Sequence, residues 1–475
     1  MMTTRIFTIF TFLLVLFILM GCQSEEKESY DIAILNGQVI DLESGKVEEK
    51  DIFIFEGSIT KIGNADSVGK FESKQTIDAS GKFLLPGFWD NHVHFRGGDS
   101  LVKSNKNFLK LFIANGITTV RDAGGDLTGP VTQWKSEIEN GHLIGPTIFT
   151  SGPKIDGPNA TWAGSLEVEN DIDINNALDV LQRIPVDYVK LYDSRISGKN
   201  YLNTIAEAEK RGLITSGHMP FSVTLEETIA AGIDGIEHLY YIMKGCSADE
   251  REITQKLVDG EIGFWDAMPL LRKSYSDSTA SKTFQYLKNN GVFVTPTLHI
   301  GKTLSYLDEV DHSNDPYLDY MGKGIIKTYK GRINRVKNAT SKTLQDRKEL
   351  DTFFGTLAKS LNDAGVALLA GSDSGAYNSY TYPGMSLHKE LQEMVVNGIS
   401  PLNALRTSAY NGAKFLKQDA AYGHIEAGKI ADLVLLDANP LENIKNTESI
   451  YMVIKEKSVF DKNKLQELLD STIVK

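Results

Sequence analysis

Eight apolar, strand-like runs recur along the middle of this 475-residue chain, each followed by a longer amphipathic or mixed stretch. They are FLLPGFWDNHVH, GITTVRDAGG, TIFTSGP, DYVKLYD, LITSGHMP, GIEHLYY, GVFVTPTL and VALLAGSDSG. A strand buried on both faces loses its inside–outside alternation and reads as continuously apolar. Such strands, separated by helical stretches such as 197–211 and 386–397, form a parallel sheet covered on both sides. Eight of them predict an α/β fold closed as a (β/α)8, or TIM, barrel over residues 81–420. An open, doubly wound sheet is the alternative. The stretch from about 300 to 362 is longer than one crossover helix needs, and its charged periodic segments predict a helical insertion above the barrel.

The flanks read differently. Between Asp31 and Ala79 the pieces DIAILNGQVID, KDIFIFEGSITKIG and KQTIDASGKF alternate with turns, and GKIADLVLLDANP and SIYMVIKEKSVF repeat the character near the other end. The simplest account is one small β-sandwich domain made by both termini, residues 31–80 and 421–460. Ahead of it, Arg5 precedes an apolar run from Ile6 to Met20, too short for a membrane span and suited to a secretory signal. The run ends in Leu19-Met20-Gly21-Cys22, which resembles the lipobox of bacterial lipoproteins. That resemblance implies a signal peptide over 1–21, lipid on Cys22, a tether over 22–30, and anchoring to the bacterial cell envelope, at the outer membrane or periplasmic face in a Gram-negative cell. An uncleaved N-terminal anchor is the alternative. Cys246 would be the remaining thiol, so no internal disulfide is expected. The formal charge is −12 and no basic run is long enough to follow a phosphate backbone, which excludes nucleic acid as an expected partner.

His92 and His94 stand two apart at the end of the first run. On an extended strand both imidazoles face one side, where two ring nitrogens at about 2 Å suit a divalent metal. Alone, such a pair can equally be ordinary hydrogen-bonded histidines, so the other ligands decide. The fourth run carries Lys190, the fifth His218, the sixth His238 and the eighth Asp373. In a barrel the strand C-termini converge on one mouth, which would gather all six in one pocket.

With these blocks in place, the chain resembles the amidohydrolase superfamily, metal-dependent hydrolases on a distorted (β/α)8 barrel. The VKLYD, GHMP, IEHL, TPTL and GSDSG blocks are most similar to the imidazolonepropionase-like and prolidase-like branch, whose carboxypeptidases act on Xaa-Pro or Xaa-Arg dipeptides. Residues 423–444 resemble the strand pair that completes the β domain in those enzymes. The resemblance implies that His92, His94 and Asp373 bind a more buried metal, that His218 and His238 bind a more exposed one, and that a carbamylated Lys190 bridges the two. It also implies a hydroxide between the ions as nucleophile and Asp373 as general acid and base. Two zinc ions suit the ligands best, with manganese, cobalt and iron compatible. A mononuclear site that leaves Lys190 unmodified is the alternative. Arg121 and Tyr240 are expected substrate contacts, Arg121 through a carboxylate or else in a rim ion pair, Tyr240 facing the mouth or else packing. His388 reads as a helix cap or surface residue, and His142, His299, His312 and His424 fit no ligand position. The expected activity is hydrolysis of an amide bond in a small-molecule or dipeptide substrate. The alternatives are a mononuclear cyclic-amide hydrolase, a lactonase or phosphoesterase, or a surface lipoprotein that binds without catalysis. The oligomeric state stays open, a homo-oligomer included.

Overall fold

The computed structural model describes residues 28–63 and 71–473. The signal segment, Cys22 and most of the tether lie outside the described residues. Among those described, no helix is long and apolar enough to cross a membrane.

Both ends of the chain meet in one eight-stranded sheet. Glu28–Ile40 pairs antiparallel with Val47–Phe55, which pairs with Ser58–Gly63, while Phe71–Asp78 and Phe83–Pro86 run parallel to Glu28–Ile40. From the other end, Asp432–Leu436 sits antiparallel against Phe83–Pro86, with Val434 opposite Leu85, and is followed outward by Ile450–Lys455 and Ser458–Asp461. Alternation sorts the faces. Ile32, Ile34, Ile52, Ile54, Leu433 and Leu435 form one core, whereas Leu85, Val434 and Leu436 turn into the core of the body. The expected sandwich strands are thus joined by hydrogen bonds in a single sheet. It begins at Glu28, inside the expected tether, because Tyr30 is buried against Phe53 with ring centroids 4.7 Å apart.

The body is built from short parallel strands. Phe88–Val93, Ile117–Asp122 and Thr147–Thr150 form one arc; Leu166–Glu167, Ile155–Asp156, Val189–Leu191, Thr215–Gly217, Gly235–Glu237 and Phe293–Thr295 form a second. The last apolar run, 366–374, touches both: Leu368 bridges Val294 and Ser374 bridges Val93, each in parallel. On the far side, Asp187 N donates to Thr150 O. The run FLLPGFWDNHVH divides at Gly87 between the terminal sheet and the first parallel strand. A side chain there would strike Thr118 Oγ1 at 2.3 Å, so the crossing point takes a glycine.

Residues at the two ends of these strands differ in kind. At the N-terminal side Trp89, Tyr188, Ile214 and Leu369 pack with Phe149 and Phe415 into an apolar plug. Histidines and acids cluster at the opposite end, so the plug leaves one polar, open face. Over that face stands the helical insertion, Leu298–Ser305, Leu318–Thr328, Lys330–Lys337 and Ser341–Ala364. Its first helix is held from below by the buried Glu390, which accepts from Leu298 N at 3.0 Å and His299 N at 2.7 Å, both unpaired donors of a first helical turn.

Close strand contact makes one glycine decisive. A Cβ on Gly217 would lie 2.2 Å from Leu191 O, the same carbonyl that accepts from His218 N. Gly217→Ala is expected to lower unfolding free energy by roughly 3 kcal/mol in guanidinium titrations, the upper range for overpacking. Gly331→Ala, in the helix Lys330–Lys337 with nothing within 4 Å of its Cβ, is expected to be neutral or slightly stabilising.

Candidate metal centre

The site assembles at the ends of five chain segments. His92 and His94 project from the first parallel strand to the same side, and their Nε2 atoms approach to 3.3 Å. Asp373 Oδ1 lies 3.6 Å from His92 Nε2 and 3.2 Å from His94 Nε2. His238 Nε2 is 4.0 Å from the other carboxylate oxygen of Asp373. The potential ligand atoms of His92, His238 and Asp373 all lie within 4.8 Å of one another. His218 packs on His238 with ring centroids 4.9 Å apart, which extends the group by one imidazole.

Each of the four rings is fixed through Nδ1. His92 Nδ1 faces Glu237 Oε2 at 2.7 Å, His94 Nδ1 faces Gly124 O at 2.8 Å, and His218 Nδ1 faces Asp193 Oδ1 at 3.1 Å. A carbonyl or carboxylate oxygen accepts here, so Nδ1 carries the proton and the Nε2 lone pair is free. His238 Nδ1 pairs with the Thr297 hydroxyl at 2.7 Å. Burial holds His92, His94, His218 and His238 below the ordinary histidine range, and for His92 it outweighs the pull of Glu237. Neutral rings are the ligating form. His238, Thr297 and Asp373 all sit at left-handed φ, of 70°, 50° and 53°, strain that non-glycine residues accept where neighbours fix the conformation. For Asp373 one such neighbour is Asn378, whose Nδ2 donates to Oδ1 at 2.7 Å. Burial raises the Asp373 carboxyl, but His92, His238 and Arg96 outweigh it and leave it below the usual value.

Lys190 is fully enclosed, and its Nζ has no hydrogen-bond partner. Glu237 Oε1 stands 3.6 Å away. Burial lowers the ammonium to about 8 despite that carboxylate. The donor chemistry suits divalent ions: neutral imidazole nitrogens, one ionised carboxylate, and a buried amine without a hydrogen-bond partner.

Of the two expectations for Arg121, a substrate carboxylate or a rim ion pair, the structure shows an ion pair, placed below the rim: its Nη1 pairs with Glu237 Oε1 at 2.9 Å, its Nε donates to Asn91 O at 2.6 Å, and its guanidinium lies between the rings of Tyr188 and Phe415. It occupies the layer beneath the site and does not line the cavity. Tyr240 does line it, packed beside Phe264 and Phe354. His388 is buried rather than on the surface, with Nε2 at 2.9 Å from Asn115 O and its ring edge-on to Phe88. His142, His299, His312 and His424 are not among the lining residues.

Several residues here escape sequence reasoning. Glu237, next to His238, orients His92; Asp193 orients His218 while accepting from the Tyr241 hydroxyl at 2.8 Å. The GIEHL and KLYD blocks offered a signal for both, an acid beside or near a candidate ligand. Arg96, Lys154, Trp162 and Arg332 also line the cavity, of about 610 Å³, and no pattern in the sequence marks them.

Residues 83–462 match the amidohydrolase family. A 97-residue stretch is 36% identical to adenine deaminase of Listeria welshimeri serovar 6b, a match that spans 20% of this chain and 15% of that enzyme. In overall structure the chain is similar to a Xaa-Pro dipeptidase solved with methionine in its active site, at TM-score 0.67 and 19% identity over 90% of this chain and 99% of that one. It is also similar to bottromycin amidohydrolase, at TM-score 0.72 and 18% identity over 93% and 89%. With the family match extending from the last strand of the N-terminal half-sheet to the C-terminal strands, the chain belongs to the amidohydrolase family.

Proposed function

We propose that this chain is an exported, lipid-anchored, metal-dependent hydrolase of carbon–nitrogen bonds on a distorted (β/α)8 barrel, acting on a small peptide-like amide such as a dipeptide ending in proline. One observation carries the reading: four histidines, each pinned through Nδ1, converge with Asp373 beside a buried lysine nitrogen that has no hydrogen-bond partner. The barrel is supported by the run 366–374, which bridges both parallel arcs. The Xaa-Pro dipeptidase and the bottromycin amidohydrolase named above support the peptide-like substrate.

His92, His94 and Asp373 would hold one divalent ion and His218 and His238 a second, with Lys190 shared between them as a carbamate. The ammonium first gives up a proton, which burial favours, and the neutral amine then adds to carbon dioxide and loses a second proton, so that a cation becomes an anionic oxygen donor. When bound, the ions supply Lewis acidity and make water a nucleophile near neutral pH. The remaining work falls to the chain. Asp373, aimed by Asn378, takes the proton released as water attacks the carbonyl and hands it to the departing nitrogen. Glu237 and Asp193 keep His92 and His218 in the ligating tautomer. Tyr240, Phe264, Trp265 and Phe354 give the cavity an apolar wall for the substrate side chain.

Metal analysis of the full-length chain, produced with zinc and bicarbonate, is expected to find about two ions per chain, falling toward one in Lys190→Ala. One ion in the unaltered chain would favour a mononuclear hydrolase of cyclic amides, and none in folded protein would remove the hydrolase reading. Asp373→Asn is expected to reduce kcat on the best dipeptide by about a thousandfold with the circular dichroism unchanged, the usual weight of a positioned acid–base group. Binding of small amides without turnover would favour a non-catalytic lipoprotein; turnover of lactones or phosphoesters alone would move the substrate class. In bacterial fractionation, Cys22→Ala is expected to shift the chain from the membrane to the soluble fraction, and unchanged partition would exclude the lipid anchor.

A further inference from the structure

Two basic side chains, Arg96 and Lys154, line the cavity without a direct ion pair among the described residues, although the charge of Asp373 on the same cavity acts on both at longer range. Lys154, between Thr147–Thr150 and Ile155–Asp156, is 2% exposed, and its Nζ has no hydrogen-bond partner. Arg96, two residues past His94, is 4% exposed; its Nε donates to Ala376 O at 2.8 Å, and its terminal amino groups donate to no residue among those described. Both stand against the indole of Trp162, the guanidinium carbon 4.3 Å and Nζ 4.8 Å from the ring centroid. Nζ also faces the Tyr192 ring at 5.4 Å. Among the described residues, neither forms an ion pair within 4.0 Å, and Arg332, which reaches the same cavity from Lys330–Lys337, forms none either.

An indole face stabilises a cation only modestly, whereas an unpaired ammonium taken out of water costs several kcal/mol. Arrangements of this kind persist where a ligand completes them. Lys154 is the clearer case, because a buried lysine kept merely for packing would find a carbonyl or carboxylate, and this one, on the cavity wall between the rings of Trp162 and Tyr192, has neither within hydrogen-bond reach. Two donors of different shape, a point charge and a planar fork, flanking one aromatic platform suit a carboxylate. Both share the cavity with His94 and Asp373, so an anion held there belongs to the molecule whose amide is presented to that centre.

We propose that Lys154 and Arg96 form the seat for a free carboxylate of the substrate, and that this seat, rather than Arg121, selects acid-terminated amides over neutral ones. The inference rests on the reading of this cavity as the substrate site of an amide hydrolase. It makes an uncapped dipeptide the preferred substrate class and its C-terminal amide a poor one.

The test compares Xaa-Pro and Xaa-Arg dipeptides with their C-terminal amides on the metal-loaded, full-length chain. The ratio of kcat/KM for acid over amide is expected to be on the order of 100, the range for losing one partner of a buried charge pair. Lys154→Met is expected to collapse the ratio to within a few-fold of one, and Lys154→Arg to restore most of it. Thermal unfolding supplies a readout independent of turnover: Lys154→Met removes a buried amine that has no hydrogen-bond partner and whose ammonium is held well below its ordinary value by burial and by Arg96, so its Tm is expected to hold or rise, whereas a lysine with a structural role would give a fall. A ratio near one in the unaltered chain, or a ratio unmoved in Lys154→Met, would overturn the seat. Should no dipeptide be turned over, calorimetry with N-acetyl-L-proline and N-acetyl-L-prolinamide still decides. Preference for the acid that disappears in Lys154→Met keeps the seat while the hydrolytic reading fails, and absence of preference removes the seat itself.

Discussion

The carboxylate of Glu237 is the point on which the centre of this molecule depends. It is fully buried, and it meets residues from four other strands: Arg121 at 2.9 Å, His92 at 2.7 Å, Ser216 at 2.5 Å and Lys190 at 3.6 Å. Burial alone would drive such a group to its neutral form, yet Arg121, Lys190 and His92 together hold it well below the usual value. An ion pair this deep is a weak source of net stability, since both charges have lost their water. Its effect lies in geometry. With Arg121 fixed between the Tyr188 and Phe415 rings, Glu237 has one place to be, and His92 is oriented from there. Removing either partner leaves a charge stranded next to the plug, so the apolar floor and the polar site are coupled through a single carboxylate.

From this node the layers of the body follow. Beneath it, aromatic and aliphatic side chains close the N-terminal side of the strands. Above it, each imidazole is held by a different partner: a carboxylate, a backbone carbonyl, a second carboxylate and a hydroxyl. Because those partners come from separate segments, the four Nε2 positions are set by the fold and not by neighbouring sequence. The outer wall is set differently, by helices whose placement rests on contacts such as the Glu390 cap on Leu298–Ser305. Chemistry and substrate choice therefore sit on separately supported parts of the structure, and changes in the insertion can alter the cavity without moving the ligands.

How much of this was legible in the sequence depends on what periodicity encodes. Strand runs and their final residues are visible, so His92, His94, Lys190, His218, His238 and Asp373 could be picked out, and the structure brings them around one cavity or next to it. Depth along a strand is not visible. Arg121 and Asp122 close the same strand, and alternation says that Arg121 points inward, but only the packed layers show that inward there means beneath the site. Breaks inside apolar runs are equally hidden: nothing in FLLPGFWDNHVH announces that Gly87 divides two sheets, because the constraint is the approach of Thr118 from elsewhere in the chain. Glu237 is hidden in a similar way: alternation places an acid next to a strand-end histidine on the opposite face, whereas at the crowded strand ends both side chains find inward partners.

Net charge misleads in the same way. A net charge of −12 points to a chain that repels acids at long range. Surface charges are screened within about 8 Å at physiological salt, so they say little about a cavity walled by protein. Inside it, field strength follows local imbalance, and there Arg96, Lys154 and Arg332 form no direct ion pair among the described residues and outnumber the carboxylates of Asp193 and Asp373. The contrast with Arg121 is instructive. That arginine has its countercharge supplied by Glu237 and serves the fold, whereas the cations on the cavity wall have none in direct contact, and the free energy needed to keep them there must be returned by something that enters. Pairing state, more than residue type or exposure, separates the cations that build this protein from those that face its substrate.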